Sequence, residues 1–194
     1  MNWLALIPMR EKSKSIEKKN IKKILGKPMY EYTLENAIEA GANEIYISTD
    51  IKKILEKKFN NKKIITIKRK ESLAQDKTTM EEVIYDFLKY YKEFVSKQNK
   101  VIVLLQPTSP LRRSKDIKNS LDLFNNSDKE LLMSVTKTDN RILKYGFLDK
   151  KVFLPISKIE YCFQNRQELP TVYKPNGAIY IFNSNWFFKN KGFV

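Results

Sequence analysis

Between positions 10 and 20 the chain carries Arg10, Lys12, Ser13, Lys14, Lys18, Lys19 and Asn20. Cations interleaved with hydroxyl and amide groups on one short segment suit a compact polyanion such as a triphosphate. The segment has no glycine and no GxxxxGK[ST] pattern, so a solvated lysine-rich loop explains it equally well when it is taken alone. A second chemical segment is QPTSPLR at 106–112. Its two prolines fix the backbone around Thr108 and Ser109, a rigid presentation of Gln106, Thr108 and Arg112 that suits a binding site better than a generic turn. Two acidic residues stand in comparable places. Asp50, in STD (48–50), either orients a bound group or stabilises its own loop; for Asp76, in RKESLAQDKTT (69–79), capping of the following helix is the preferred reading.

The absent residue types narrow the chemistry further. The chain has no histidine and a single cysteine, Cys162. An intrachain disulfide framework, Cys/His zinc sites and Ser-His-Asp or Cys-His catalysis are therefore excluded. Cys162 reads as a small, partly buried side chain rather than a nucleophile.

The elements that would carry these segments follow from periodicity. Four apolar runs, WLALI (3–7), EIYIS (44–48), KIITIK (63–68) and VIVLL (101–105), alternate with helical patterns. Their poverty in polar alternation predicts strands covered on both faces. Pro28 suits a first helical turn, after which Tyr30, Leu34, Ala37 and Ile38 share a face, and Gly41 is a C-terminal stop. Residues 51–59 predict a short helix with Ile51, Leu55 and Phe59 on a stripe, and Thr78 to Glu81 predicts a capping box. The helix after that box carries Val83, Ile84, Phe87, Leu88 and Tyr91 inward. Ser114 is expected to cap another, with Ile117, Leu121 and Phe124 inside. LLMSV (131–135), KVFLPI and GAIYIF read as strands, SNWFFKN as a short helix, and Asn176-Gly177 as a tight turn into a strand. This order predicts an α/β fold with a mainly parallel sheet, in one domain with a small subdomain or arm around 137–175. In such sheets ligands bind beyond the carboxyl ends of the strands. That is where the segments starting at residues 8, 48, 69 and 106 lie.

With 194 residues, 42% hydrophobic and 30% charged, the chain has the balance of a globular domain with a real core. No run approaches the roughly 20 apolar residues of a membrane span, and the amino terminus lacks the order of a secretory signal. A cytoplasmic protein is expected. The net charge of +15 invites a nucleic-acid reading, but the basic residues are mostly lysines spread over every segment. They read as solvated helix faces, compatible with a general attraction for anions.

Taken in order, MREKSKSIEKKN, STD, SLAQDKTTM, LLQPTSPLR and RQELPTVYKPNGAIYI resemble the acylneuraminate cytidylyltransferase family over residues 4 to at least 182. Each string alone is unspecific; the ordered set is not. The resemblance implies a Rossmann-like nucleotidyltransferase fold, a homodimer, and transfer of CMP from CTP to the anomeric hydroxyl of an acidic nine-carbon, sialic-acid-type sugar, with Mg²⁺ and release of pyrophosphate, as in the making of cell-surface glycans such as lipooligosaccharide. By position it implies that Arg10, Ser13, Lys14, Lys19 and Asn20 hold the CTP phosphates and that Arg69 and Thr79 line the cytidine pocket. Gln106 and Thr108 would contact the sugar, with Lys144, Arg166 and Tyr180 closing that side. Catalysis would fall to Arg10, Lys19 and Gln106, with no partner expected in nucleic acid or membrane.

The chain departs from the family pattern in several places. Glu11, Lys12 and Ser15 replace glycine or small polar residues, Met80 replaces a serine near the base, and Lys174 replaces a frequent arginine. The family's D-x-D magnesium pair has no counterpart in the chain, which ends Gly192-Phe193-Val194. A truncated chain, or a catalytically silent CTP-binding relative, is the alternative expectation. Among the candidate sugars, LAQDKTT and NRILK look more like the sialic or legionaminic branch than the pseudaminic one.

Overall fold

The computed structural model describes residues 2–13 and 16–193. They divide into two compact units, one of residues 1–134 with 177–194 and one of residues 135–176.

The larger unit is built on a six-stranded sheet of order β5-β4-β1-β6-β10-β7. Its parallel members are β1 (Trp3–Met9), β4 (Glu44–Thr49), β5 (Ile64–Lys68) and β6 (Val101–Leu104). Antiparallel to β6 runs β10 (Val172–Asn183), with Tyr180 opposite Leu104; β7 (Leu131–Thr138) forms the far edge. A small hairpin, β2 (Lys23–Ile24) with β3 (Lys27–Pro28), follows the first loop.

Strand alternation sorts the core into two layers. Ala5, Ile7, Ile45, Ile47 and Val103 face α1 (Met29–Glu39) and α4 (Ser114–Asn125), which contribute Tyr30, Leu34, Ile117 and Phe124. Leu4, Leu6, Tyr46 and Leu104 face α3 (Met80–Phe94) and α5 (Ser184–Asn190), which contribute Ile84, Leu88 and Phe187. The interior strands are the near-continuous apolar runs that two-sided burial demands. Strand β5, at an edge, is only half-buried.

The predicted stop at Gly41 is a Schellman turn: Gly41 has φ +92°, its N–H reaches the Ile38 carbonyl at 3.0 Å, and the Ala42 N–H reaches Ala37 at 3.1 Å. Ile38 itself is exposed, since only Tyr30, Leu34 and Ala37 of that face reach the sheet. The helix expected over 51–59 is the single turn α2 (Lys52–Leu55), with Ile51 and Ile54 buried and Leu55 and Phe59 only partly so. Helix α4 begins at Ser114, one residue earlier than a Ser114 cap requires; the Asp116 carboxylate instead accepts the Arg113 N–H at 3.1 Å. The Asn176-Gly177 pair is not a hairpin turn. β10 runs straight through it, and Gly177 at φ +74° takes the left-handed conformation inside the strand.

The smaller unit contains the antiparallel hairpin β8 (Gly146–Asp149) with β9 (Val152–Pro155) and helical turns at Asn140–Lys144, Ile159–Cys162 and Arg166–Glu168. Cys162 is a free, partly buried thiol.

Candidate active site

Parallel strands β1, β4, β5 and β6 deliver their following loops to one edge of the sheet, and a cleft of about 240 Å³ opens there. Its walls come from the loops after β1, β5 and β6: Arg10, Lys12, Ser13, Lys19 and Asn20 from the first, Arg69 and Thr79 from the second, Gln106 and Thr108 from the third. Segments as far apart in sequence as Arg10 and Thr108 thus share one cavity. Lys14 lies outside the described residues.

The loop after β4 braces the walls. The Ser48 carbonyl accepts from Arg69 Nη2 at 2.9 Å, with Ser48 Oγ near Arg69 Nε at 3.4 Å. Asp50 accepts the Glu11 N–H at 2.8 Å. This hydrogen bond is of the loop-stabilising kind, one of the two roles open to Asp50. Arg69 is only 6% exposed. Burial pushes its pKa down to about 10, partly offset by Asp50, with Arg10 adding to the drop. It therefore enters the cleft as a cation at neutral pH, held by a hydroxyl and a carbonyl rather than by a neutralising carboxylate.

The first loop is tied at both ends of its basic run. Asn20, buried, donates its amide to the Arg10 carbonyl at 2.8 Å. Arg10 Nη1 donates to the Gln75 carbonyl at 2.8 Å and pairs with Asp76 at 3.0 Å. Asp76 is therefore not the helix cap. That role belongs to Thr79, one residue beyond the predicted Thr78: Thr79 Oγ1 accepts the Glu82 N–H at 3.3 Å, and Glu82 accepts the Thr79 N–H at 2.6 Å and its hydroxyl at 2.9 Å. Both Thr78-Glu81 and Thr79-Glu82 satisfy the spacing, and only the helix start at Met80 separates them. The hydroxyl proton of Thr79 is thereby committed to Glu82 although the residue lines the cleft.

Arg112 departs from expectation. It turns into the protein, 6% exposed, and donates to the Ala178 carbonyl at 2.5 Å, to Thr33 Oγ1 at 2.8 Å and to the Gln106 carbonyl at 3.3 Å. Desolvation pushes its pKa down to about 10. It holds the 106–113 loop in shape instead of meeting a ligand. Tyr180 is not among the residues that line the cleft. Alternation along β10 puts it on the α3 side, where its ring stacks on Phe193 at 5.7 Å between centroids.

Two predicted residues belong to the smaller unit. Lys144 donates its ammonium to the Gln164 carbonyl. Arg166 lines a separate depression with Lys137, Asp139, Asn140, Gln167 and Thr171.

Pro8, Met9, Leu73, Gln75 and Pro107 also line the cleft and carried no expected role, and Thr78, Met80 and Val83, noted in the sequence for a helix cap, a replaced serine and a helix face, line it too. Most fall inside the flagged loops; the signal for Met80 and Val83 was their place in the first turns of a helix that follows such a loop.

Comparison with known proteins identifies this arrangement. A family model described as cytidylyltransferase matches residues 4–189. The chain belongs to the cytidylyltransferase family. Over its full length it is 32% identical to an N-acylneuraminate cytidylyltransferase of Streptococcus agalactiae, of which it covers 46%. It is 28% identical over its full length to a CMP-N,N'-diacetyllegionaminic acid synthase of Legionella pneumophila, of which it covers 83%. The chain thus spans about half the length of the first of these relatives. Among solved structures, a CMP:2-keto-3-deoxy-manno-octonic acid synthetase complexed with CTP superposes with a TM-score of 0.67 at 17% identity, covering 98% of this chain and 78% of that one. A 4-diphosphocytidyl-2C-methyl-D-erythritol synthase of Anaerococcus prevotii gives a TM-score of 0.64 at 16% identity, covering 98% and 75%. These likenesses establish the Rossmann-like nucleotidyltransferase fold expected from the sequence.

Proposed function

We propose that this cytidylyltransferase transfers CMP from CTP to the anomeric hydroxyl of a sialic-acid-type sugar, N-acetylneuraminic or legionaminic acid, releasing pyrophosphate. The observation that carries this reading is the convergence of Arg10, Ser13, Lys19, Arg69 and Gln106 on one cleft at the carboxyl edge of the sheet. Relatives named for N-acylneuraminate and legionaminic acid support the choice of sugar.

Nucleotidyl transfer asks for positioning and charge neutralisation rather than for a covalent intermediate. The sugar hydroxyl attacks the α-phosphorus, the new O–P bond forms, and the Pα–O bond to pyrophosphate breaks with its electron pair. Arg10, Lys12 and Lys19 neutralise the triphosphate and the charge that develops on the departing pyrophosphate, with Ser13 and Asn20 placing polar groups beside it. Arg69, already desolvated, costs little reorganisation when it meets the nucleotide. Thr108, held between Pro107 and Pro110, and Gln106, just before Pro107, orient the sugar. No carboxylate lines the cleft among the described residues, so the hydroxyl proton leaves to solvent.

The described residues offer no cage for magnesium. No group of three or more Asp, Glu, Cys or His side chains converges among the described residues, and Asp50 and Asp76, near the first loop, are engaged with Glu11 and Arg10. The described donor set does not form a metal cage, and no step is routed through the ion. This same observation favours the second reading, a chain that binds CTP without turning it over.

A homodimer and a cytoplasmic location complete the proposal. Phe147, Leu148, Val152, Phe153 and Leu154 on the β8–β9 hairpin are exposed, a concentration of apolar surface that suits a second copy. No helix among the described residues is long and apolar enough to cross a membrane.

The decisive experiment measures pyrophosphate release from CTP with a panel of nonulosonic acids, beside calorimetry with CTP alone. Release with N-acetylneuraminic or legionaminic acid upholds the proposal. CTP binding without release selects the silent reading, and no CTP binding removes both.

A further inference from the structure

Among the described residues Asp76 forms an ion pair with Arg10 of the polyanion-gripping loop, and the activity proposed above gives it no task. A carboxylate beside a triphosphate site is unfavourable on charge alone. It does not cap α3, because Thr79 does. It pairs with Arg10 at 3.0 Å, and the backbone carbonyl of the preceding Gln75 accepts from the same nitrogen, Nη1. Arg10 is anchored again at its backbone carbonyl by Asn20. A guanidinium is a planar fork, so fixing Nη1 at two points fixes the plane and the direction of the remaining N–H groups. Both contacts use Nη1, which among the described residues leaves the Nε–Nη2 edge for a ligand. Lys12, Ser13, Gln75 and Asp76 line a shallow recess that shares Lys12, Ser13 and Gln75 with the main cleft. The Arg10–Asp76 pair therefore stands where the two meet.

We propose that Asp76 is a positioning residue: with the Gln75 carbonyl it aims Arg10 so that its free edge meets the phosphates of the nucleotide. The proposal rests on the CTP reading for the identity of the ligand but not for the aiming itself. Coulomb repulsion and positioning predict opposite results for Asp76→Ala. Loss of a repelling carboxylate tightens CTP and leaves turnover intact or raised. Loss of a positioning contact frees the Arg10 side chain and slows turnover about tenfold while KM for CTP stays level or rises. Asp76→Asn keeps an acceptor at the same atom and restores most of the rate.

The test combines nitrogen NMR of the Arg10 guanidinium with a double-mutant cycle on the full chain, thermal unfolding serving to show that the variants fold. Support is slow, resolved Arg10 side-chain N–H signals in the parent that average in Asp76→Ala, together with a rate loss that disappears when Asp76→Ala is made in an Arg10→Ala background. The proposal is overturned if Arg10 is equally ordered with and without the Asp76 carboxylate, or if Asp76→Ala costs the same factor in both backgrounds. Should the parent chain fail to bind CTP, the function proposed above falls, and the NMR comparison still decides the aiming.

Discussion

The two units of the chain spend their apolar residues differently. In the larger one, Leu4, Leu6, Ile45, Ile47 and Leu104 are at most 2% exposed, sealed between helices on both faces of the sheet. In the smaller one, Phe147 and Leu148 are 70% and 74% exposed, and Val152, Phe153 and Leu154 are exposed beside them. The first pattern is a finished core that holds the cleft loops at fixed strand ends. The second is a surface that gains stability only by being covered. The residues that line the cleft come from loops of the sealed sheet, whereas the hairpin carries exposed apolar side chains.

Substitutions sharpen or break that contrast. Leu6→Ala, in the sealed layer, is expected to cost about 2–5 kcal/mol through lost transfer energy and the cavity left behind. Denaturant unfolding measures it, and a cost under 1 kcal/mol would mean that the layer repacks freely. Arg10→Ala removes a donor aimed at the phosphates and should lower kcat/KM for CTP about 100-fold, roughly 3 kcal/mol, with the unfolding midpoint unchanged because the side chain is partly exposed. Arg112→Met removes the buried donor to Thr33 and to the Ala178 and Gln106 carbonyls, for a loss of about 1–3 kcal/mol. This loss should appear in stability first and in activity only through the 106–113 loop. On the hairpin, Leu148→Ser should leave the unfolding free energy of the isolated chain within about 0.5 kcal/mol and weaken self-association measured by sedimentation. A large loss of stability in a monomer would place Leu148 in a core instead.

The smallest effect is in the acid limb. Arg141, by side-chain and then backbone hydrogen bonds, holds the Asp139 carboxyl down to about 2 from the ordinary 3.8. Because the folded value lies below the unfolded one, its contribution is present above about pH 3.8 and lost as pH falls through about 2. A carbon-detected titration of Asp139 with a midpoint near 4 would show the pair broken in solution.

The sequence determined the elements and their facing. Two-sided apolar runs and helical stripes are local patterns, and burial followed them at Val83, Ile84, Phe87, Leu88 and Tyr91 and at Ile117, Leu121 and Phe124. It also pointed to the loops that meet, because strand order in an open sheet determines which ends lie together. What only the tertiary structure decided is the direction of single polar side chains within those loops. Arg112 and Arg10 are both arginines in flagged strand-end segments, yet one is drawn inward by Thr33 and the Ala178 carbonyl and the other is held at the cleft by Gln75 and Asp76. Their partners lie about 60 to 80 positions away along the chain. Periodicity reaches a few residues, whereas a buried charge goes wherever acceptors can compensate its desolvation.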